Sequence, residues 1–429
     1  MRTGGRLAAA IEVLSDIQTR HRPAADALKD WGLSHRFAGA GDRGAIGNIV
    51  YDALRRRRSA AHLLGSDTPR ALAFGALLLE WGETPESLNE ALEGDRFAPA
   101  PLDGAETAAI AANPLETAPD AVRADVPDWC APLLERVFGV DWVEEGRALS
   151  ARPPLDLRVN ILRADRERIL RELAGMKAAP TALAPDGIRI PPIEGSGRHP
   201  NVQAEPAFAK GWMEVQDEGS QIAAQLAGAK PGMQVLDYCA GAGGKTLALS
   251  ADMDNRGQIF AHDSDKQRLA PIFDRLRRSE TRNVQVVARP DELAPLEERM
   301  DLVLVDAPCT GSGTWRRRPD AKWRLTERQL EVRTAEQEAI LAAASRYVRP
   351  GGRLVYVTCS LFAQENADRL RSFLATRIDF APVDHAALFE ACFPGRSDAA
   401  RVDPENGISL SPARSGTDGF YVGVTTRLE

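Results

Sequence analysis

Two cysteines, each at the end of a hydrophobic run, are the residues best suited to covalent chemistry. Cys309 lies in DAPCTGSGTW (306–315) and Cys359 lies in VTCS (357–360). A thiolate that adds to carbon 6 of a pyrimidine makes carbon 5 enamine-like, so that carbon 5 can attack an electrophile. Oxygen and amine groups that accept the electrophile directly need no such covalent step. A single free cysteine is more often a small core residue. Two of them in similar positions favour a chemical role.

A glycine-rich stretch, DYCAGAGGKT (237–246), raises the question of which cofactor the chain holds. A phosphate-binding GxxxxGK[ST] loop needs a glycine where Cys239 stands, and a dinucleotide-binding GxGxxG loop needs one where Thr246 stands. Both readings therefore fail. The remaining pattern, D-x-C-x-G-x-G, resembles the turn of S-adenosylmethionine-dependent methyltransferases, in which glycines without Cβ atoms let the backbone approach the cofactor.

Two acidic residues follow this loop at the ends of later hydrophobic runs. Asp263, in AHDSD, comes 22 residues after Gly241 and can accept hydrogen bonds from both hydroxyls of a ribose. The alternative is that Asp263 is an N-cap or turn residue of the next helix. Asp291 is a weaker candidate for the adenine edge. The pattern thus predicts a nucleoside-binding edge of a sheet.

The elements that position these residues alternate in type from Pro231 onward. Short β-rich runs (MQVLDY, QIFAHD, VQVVA, DLVLVDA and GRLVYVTC) are separated by helical segments such as KQRLAPIFDRLRRSE and EVRTAEQEAILAAASRYV. This alternation predicts an α/β fold with a doubly wound, mostly parallel sheet. Strand carboxyl ends meet at one rim of such a sheet, so Cys309 and Cys359 are expected beside the cofactor. A last run, GFYVGVTTRL (419–428), could add an edge strand.

The preceding residues divide into two further regions. Residues 1–140 are predicted to form an all-helical domain with an Ala/Pro-rich linker at about 96–126, because Ile46, Ile49, Val50, Ala53 and Leu54 form one apolar stripe. The run from Arg55 to Arg58 is either a solvated helix end or a phosphate-contacting patch. Residues 141–225 are predicted to form a small α/β module, with LDLRVNIL as a strand, and residues 226–429 the catalytic domain.

Composition sets outer limits on the function. The 429 residues carry a net charge of −7, which is mild evidence against a nucleic-acid partner. The amino terminus lacks the apolar core of a signal peptide, and no stretch is apolar enough for a membrane span, so a cytoplasmic location without a membrane partner is expected. The five cysteines show neither a CxxC pair nor metal spacing, so neither a metal site nor disulfides are expected. No heptad run indicates an obligate assembly, and a monomer is expected.

The motifs together closely resemble a known family. DYCAGAGGKT, DAPCTGSGT, PDAKW and VTCSLFAQEN are similar to motifs of the RNA cytosine-5 methyltransferases of the RsmB/Nop/Sun group, and the resemblance covers roughly residues 150–429. GDRGAIGNIVYDALRRR (41–57) looks like the NusB-like helical domain that precedes the catalytic part in this family. The resemblance implies a Rossmann-like methyltransferase domain preceded by an RRM-like module and an all-α RNA-binding domain. It also implies S-adenosylmethionine as cofactor and ribosomal RNA as partner.

The resemblance assigns roles residue by residue. Cys359 is the nucleophile, Cys309 helps to break the adduct after methyl transfer, Asp306 holds the amino/N3 edge of the cytosine, and Lys245 contacts the same pocket or pairs with Asp306. The implied cofactor contacts are Cys239, Ala240, Gly241, Ala242, Gly243, Gly244, Lys245, Asp263, Asp291 and Asp306. The chain departs from the family's usual CAAPGGKT loop because Gly241 and Ala242 replace Ala and Pro. A looser turn with lower cofactor affinity is expected.

A segment after the first cysteine motif combines cations with aromatic residues. In TWRRRPDAKWR (314–324), Trp315 and Trp323 are interleaved with Arg316, Arg317, Arg318 and Lys322, a pattern typical of stacking on bases and contacting phosphates. The alternative is a solvated loop. Two rival functions also stay open: a DNA cytosine methyltransferase that attacks through Cys309, and a non-catalytic RNA-binding or ribosome-assembly factor.

Overall fold

The computed structural model describes all residues from 1 to 429, and they form two compact units. The first unit comprises Met1–Pro153, Pro192–His199 and Trp315–Leu325. The second comprises Pro154–Pro191, Pro200–Thr314 and Thr326–Glu429. No helix is both long enough and apolar enough to cross a lipid bilayer.

The first unit is built from helices. Numbered in chain order, its helices are α1 (Thr3–Arg20), α2 (Ala24–Ser34), α3 (Ala40–Arg55), α4 (Arg57–Leu64), α5 (Pro69–Glu80), α6 (Pro85–Leu92), α7 (Gly104–Ala112), α8 (Asp120–Arg123), α9 (Ala131–Phe138), α10 (Trp142–Leu149) and α17 (Pro319–Arg324). The predicted apolar stripe of α3 is confirmed, because its five residues are all buried in the core of this unit.

The Ala/Pro-rich segment is not a linker, in contrast to the expectation from its composition. Helices α7 and α8 lie in it, and both pack against α4. Asp103 caps α7, accepting from the backbone N–H of Glu106 at 2.8 Å, while the Glu106 carboxylate accepts from the N–H of Asp103. This reciprocal capping box stabilises a helix that alanine-rich sequence already favours. The compact unit accordingly continues to Pro153.

The arginine run is not a solvated helix end. Helix α3 stops at Arg55, which is buried and donates to Asp52 at 2.9 Å, and a new helix begins two residues later. Arg56 pairs with the buried Asp125 at 3.0 Å. Arg58 donates to the backbone carbonyl of Val126 at 3.1 Å. The Arg55 bond lies within α3, whereas Arg56 and Arg58 connect the start of α4 to the loop after α8.

The second unit contains the remaining helices and all strands. The helices are α11 (Arg166–Glu172), α12 (Pro206–Ala209), α13 (Glu218–Ala227), α14 (Gly244–Asp252), α15 (Lys266–Leu269), α16 (Ile272–Ser279), α18 (Glu327–Ala344), α19 (Ala367–Thr376), α20 (His385–Cys392) and α21 (Pro412–Ser415). The strands are β1 (Leu155–Val159), β2 (Ala179–Pro180), β3 (Gly187–Ile190), β4 (Met213–Val215), β5 (Gln234–Asp237), β6 (Gln258–His262), β7 (Val284–Val287), β8 (Met300–Asp306), β9 (Val348–Thr358), β10 (Phe380–Pro382), β11 (Arg401–Asp403), β12 (Gly407–Leu410) and β13 (Phe420–Arg427).

The large sheet has the order β11-β12-β13-β9-β8-β5-β6-β7, with β10 paired to β13. Neighbours from β9 to β7 run parallel, as the alternating pattern predicted, whereas β10 to β13 pair in antiparallel fashion. The prediction of an edge strand at the carboxyl terminus is wrong, because β13 lies between β9 and β12. Thr425, in the middle of this strand, is fully buried.

The strand order creates a crevice at a defined place. From β5 the chain continues to β6 and β7 on one side, and then returns to β8 and β9 on the other. Ligands of doubly wound sheets bind at such a switch point, beyond the carboxyl ends of the strands. Asp237, His262, Asp306 and Thr358 are the last residues of β5, β6, β8 and β9. The residues that follow these strands are those that the motifs singled out.

The small sheet, in the order β2-β3-β1-β4, is antiparallel and belongs to the same unit as the large sheet. Asn160, just after β1, fixes this module to α16: its side-chain amide donates to the carbonyl oxygens of Gly211 and Ser279, both at 2.9 Å. The buried amide satisfies two backbone acceptors at once, which makes this attachment specific.

Candidate active site

The structure brings the two cysteines into contact. Cys309 follows β8, Cys359 follows β9, and their sulfur atoms are 3.4 Å apart as free thiols. Because β8 and β9 are adjacent parallel strands, their carboxyl ends lie side by side. The N–H of Gly313 donates to the carbonyl oxygen of Cys359 at 2.9 Å, which joins the two loops.

The two thiols do not have equivalent surroundings. The hydrogen bond with Cys359, burial, and the negative charge of Glu365 together raise the pKa of Cys309 well above its ordinary value. Either sulfur could be the donor in this contact, but a raised pKa keeps the proton on Cys309, which can therefore donate to Cys359. A sulfur that accepts a hydrogen bond is the better placed of the two to carry the negative charge of a nucleophile.

Lys245 and Asp306 form an ion pair next to this site. Lys245 Nζ lies 2.7 Å from Asp306 Oδ2, and its side chain is 6% exposed. The ammonium also lies 5.2 Å from the centre of the Phe420 ring. Lys245 is carried by the first turn of α14 and Asp306 is the last residue of β8. The pair presents a fixed, charged carboxylate at the end of the strand that leads to Cys309.

The glycine loop has the tight geometry that its sequence indicates. Gly241 and Gly243 have φ angles of +49° and +83°, a region that favours glycine. A Cβ atom on Gly243 would lie 2.5 Å from Ile272 Cγ1. The N–H of Gly241 donates to Asp263 Oδ2 at 2.9 Å, so the loop and the end of β6 are directly connected.

Asp263 is buried beside the loop rather than at a helix terminus. The N-cap of α15 is Asp265, whose side chain accepts from the N–H of Gln267. Asp263 is 3% exposed, and its Oδ1 accepts from the N–H of Asp265 at 2.9 Å. The N-cap alternative is thus wrong, although Asp263 does stabilise the turn. Each of its oxygens has one protein donor here, which leaves further acceptor capacity for ligand hydroxyls.

The remaining acidic residues differ in their surroundings. Asp291 is largely exposed and lies 3.8 Å from Arg289. Asp237 is buried: its Oδ2 accepts from the Thr246 hydroxyl at 2.7 Å, but its Oδ1 has no partner. Burial raises the pKa of Asp237 to about 7. A buried carboxylate oxygen without a donor fits a ligand that brings an ammonium group, as the methionine part of S-adenosylmethionine does.

A support of the loop that the sequence did not reveal is Arg275 on α16. Its Nη1 donates to the carbonyl oxygen of Ala242 at 2.9 Å, and its Nη2 lies 3.1 Å from Glu214 Oε2 on β4. Ala242 stands where the related loops have proline. Arg275 therefore anchors a turn that lacks the rigidity of proline. No sequence signal identified it, because its partner is a backbone carbonyl.

The basic segment after the first cysteine motif is only partly available to a ligand. Arg318 is exposed and Arg317 partly exposed, but Arg316 and Trp315 are buried in the first unit. Lys322 is 0% exposed, so the prediction that it contacts RNA does not hold for this structure. In this segment some of the interleaved cations and aromatic residues belong to the core of the first unit, and others lie on its surface.

Lys322 has a structural environment instead. Its Nζ donates to Ser150 Oγ at 3.0 Å and to the carbonyl oxygen of Arg55 at 3.4 Å, and it lies 4.8 Å from the Trp323 ring centre. Trp323 in turn donates from Nε1 to the carbonyl oxygen of Leu54 at 2.6 Å. Burial lowers the pKa of Lys322 to about 7. The residue fastens the segment 315–325 within the helical unit.

We expect the stability of the protein relative to a Lys322→Met variant to depend on pH. Below pH 7 both the folded and the unfolded chain hold the lysine proton, and the cost of burying the charge is complete. Above pH 7 only the unfolded chain holds it, so the wild type gains about 1.4 kcal/mol of relative stability per pH unit, or roughly 2–3 kcal/mol between pH 7 and 9. Urea unfolding of both proteins at several pH values measures this gain.

The exposed Lys266 supplies the matched control for this prediction. Lys266→Met should differ from the wild type by the same amount at pH 7 and at pH 9. A Lys322→Met variant that behaves in the same pH-independent way would show that Lys322 keeps an ordinary proton affinity in the folded chain.

The switch-point crevice, the glycine loop and the buried Asp263 define the class: this is an S-adenosylmethionine-dependent methyltransferase fold. Residues 224–425 match the family model described as 16S rRNA methyltransferase RsmB/F. Residues 126–192 match the ferredoxin-like domain of RsmF/B-like methyltransferases. The chain belongs to the RsmB/F methyltransferase family, which confirms the resemblance of the motifs and the choice of cofactor.

Named relatives are similar over part of their length. The probable ribosomal RNA small subunit methyltransferase B of Synechocystis sp. is 32% identical over 304 residues, covering 69% of this chain and 65% of the relative. The ribosomal RNA small subunit methyltransferase B of Salmonella typhi is 35% identical over 261 residues, covering 59% of each chain. The match thus spans less than two thirds of these relatives.

Solved structures resemble the chain more completely. The protein PH0851 has 25% identity and a TM-score of 0.72, with 99% of both chains covered. NSun6 from Pyrococcus horikoshii, solved with SFG, has 20% identity and a TM-score of 0.60 over 71% of this chain and 98% of its own. The second likeness concerns the fold alone.

Proposed function

We propose that the protein methylates carbon 5 of a cytosine in RNA, namely small-subunit ribosomal RNA, through a covalent bond between Cys359 and carbon 6. The contact of two free thiols at the ends of β8 and β9 is the observation that carries the proposal. A single thiol suffices to add to the ring. A second thiol in contact with it can help to break the bond that the first one forms.

The two cysteines divide the work in this proposal. The Cys359 sulfur adds to carbon 6, and carbon 5 then attacks the methyl group that S-adenosylmethionine supplies. Solvent takes the proton from carbon 5, the electron pair of that C–H bond forms the double bond between carbons 5 and 6, and the bond between carbon 6 and sulfur breaks with its electron pair leaving on Cys359. Cys309, which holds its proton and lies 3.4 Å away, donates a hydrogen bond to the departing sulfur. This donation stabilises the thiolate that leaves.

Asp306 and Lys245 orient the base in this scheme. The Asp306 carboxylate accepts from the amino group of the cytosine and so holds the amino/N3 edge of the base. The Lys245 ammonium beside it stabilises the negative charge that develops toward N3 when the thiolate adds at carbon 6. Lys245, at 2.7 Å, holds that carboxylate in place. The residues from Cys239 to Lys245 would hold the cofactor, with Asp263 binding the ribose, Asp291 the adenine edge and Asp306 the methionine part.

The helical first unit is proposed to be a NusB-like domain that binds RNA in the cytoplasm. The first unit contains helices and no strands, and the apolar stripe of α3 is buried; both features support this assignment. Within it, the exposed Arg318 and the partly exposed Arg317 are the cations of the 315–325 segment that remain candidates for phosphate contacts. Arg316 and Lys322, both buried, are left out.

We expect the Arg317→Ala/Arg318→Ala double variant to bind RNA less tightly and with a weaker salt dependence. Each phosphate contact that is lost reduces the slope of log affinity against log salt by about 0.7 for single strands, so a change of roughly 1.4 is the upper limit. Filter binding of a ribosomal RNA fragment at several salt concentrations measures it. Arg328→Ala, on the exposed face of α18, is the control. A slope equal to that of the wild type would exclude the segment from the interface.

The reaction itself is tested with purified protein, labelled S-adenosylmethionine and small-subunit ribosomal RNA. Nuclease digestion and mass spectrometry should find 5-methylcytidine. Methyl groups on another atom would contradict the proposed chemistry. A protein that binds RNA and S-adenosylmethionine but transfers no methyl group would support the non-catalytic alternative.

A further inference from the structure

Glu365 is a fully buried carboxylate next to the two cysteines. It lies in VTCSLFAQEN, in a short 3-10 turn after Cys359, and its exposed fraction is 0%. Burying a charged carboxylate is costly unless its oxygens receive hydrogen bonds. The residues that donate hydrogen bonds to Glu365 therefore show which parts of the site it holds in place.

Those donors come from both cysteine loops. Thr310, the residue after Cys309, donates its N–H to Oε1 at 2.8 Å and its hydroxyl to Oε2 at 2.5 Å. Ser360, the residue after Cys359, donates its hydroxyl to Oε2 in a short hydrogen bond. One carboxylate thus joins the residue that follows each cysteine.

The helix behind the loops completes this arrangement. Gln337 on α18 donates from Nε2 to Glu365 Oε1 at 3.0 Å and to the carbonyl oxygen of Pro308 at 2.9 Å. The Ser312 and Ser360 hydroxyls are 3.0 Å apart, which adds a second link between the loops. The four donors to Glu365 are neutral, so its negative charge is not cancelled by a direct ion pair with them.

We propose that Glu365 is a positioning residue, an inference that rests on the proposed function. It ties Thr310 to Ser360 so that the Cys309 thiol stays in contact with the Cys359 sulfur and can assist its departure from the methylated base. Addition to the ring needs Cys359 alone. Loss of the Glu365 hydrogen bonds should therefore slow the release of the methylated base from Cys359 more than the attack of Cys359 on carbon 6.

The charge of Glu365 has a second effect that is measurable without RNA. Cys359, Glu365 and Tyr356 are the titratable groups that interact with Cys309, and the Glu365 charge contributes to the raised pKa of that thiol. Glu365→Gln keeps the shape and removes the charge. Glu365→Asp keeps the charge and shortens the reach. The pair of variants separates the two contributions.

The ligand-free experiment follows alkylation of Cys309 by iodoacetamide, resolved by peptide mass spectrometry across pH. In Glu365→Gln the reaction should begin at lower pH than in the wild type, because less negative charge opposes ionisation. Glu331→Gln, at an exposed site on α18, should follow the wild type. An unchanged pH profile in Glu365→Gln overturns the electrostatic part of the proposal.

The catalytic experiment measures turnover and the amount of RNA covalently attached to protein. In both Glu365 variants kcat should fall at least tenfold, affinity for S-adenosylmethionine should be unchanged, and the attached fraction should rise. Unchanged kcat and attached fraction overturn the positioning role. A wild type that makes no 5-methylcytosine overturns the proposed function instead, and the alkylation profile still decides the effect of Glu365 on Cys309.

Thr310→Val provides a milder variant, should the Glu365 variants fail to fold. It removes only the hydroxyl donor at 2.5 Å and keeps the side-chain shape. The fraction of RNA attached to this variant should also exceed that of the wild type. An equal fraction would contradict the proposal that Glu365 holds the two cysteine loops together.

Discussion

In a Cys359→Ala variant, methyl transfer to RNA should fall by roughly a thousand-fold or more, as is typical when a covalent nucleophile is removed. Without addition at carbon 6, carbon 5 has too little electron density to attack the methyl group. The expected loss is in kcat, because neither the cofactor loop nor the basic segment contains Cys359. Transfer of labelled methyl groups to small-subunit ribosomal RNA measures it.

Cys392→Ala is the matched control for this variant. Cys392 is an exposed cysteine at the end of α20, and it should be replaceable without loss of activity. Binding of S-adenosylmethionine, measured by calorimetry, should be equal in all three proteins. A Cys359→Ala protein that retains more than a few per cent of wild-type turnover would show that Cys359 is not the nucleophile.

Asp263→Ala should weaken binding of S-adenosylmethionine at least tenfold. Two hydrogen bonds from ribose hydroxyls to a carboxylate are lost, each of about 1.5–3 kcal/mol, partly offset by water. The substitution also removes the acceptor for the Gly241 N–H at 2.9 Å, which loosens the loop itself. Both effects act in the same direction.

Calorimetric titration of the cofactor measures the loss, with Asp274→Ala as control. Asp274 is an exposed residue of α16 that only pairs with Arg277 on the same helix. The control should bind like the wild type. A dissociation constant that is unchanged in Asp263→Ala would remove Asp263 from the ribose site.

The sequence predicted the parts of the site that depend on strand periodicity. Cys309 and Cys359 end neighbouring β-rich runs, and parallel strands place such ends at one rim. The glycines at 241 and 243 likewise have the positive φ angles that their motif indicates. Local pattern determines these features, so they can be read without knowing the tertiary structure.

Other parts depended on partners that are distant in the sequence. Lys322 and Trp315 have the composition of an RNA-binding loop, but helices more than a hundred residues earlier bury them. Glu365 lies inside the VTCSLFAQEN motif and Arg275 inside a charged helix, yet only their contacts with Thr310 and Ala242 show what they support. The same residue types serve a core or a surface, and only the tertiary contacts decide which.

The most direct test of the division of labour between the cysteines is a denaturing gel of Cys309→Ala and Cys359→Ala after incubation with RNA and S-adenosylmethionine. Cys309→Ala should accumulate a denaturant-resistant band of protein attached to RNA, because attack and transfer proceed while the departing sulfur lacks its hydrogen-bond donor. Cys359→Ala should form no such band. The reverse pattern, with the band in Cys359→Ala and none in Cys309→Ala, would contradict the account and make Cys309 the nucleophile.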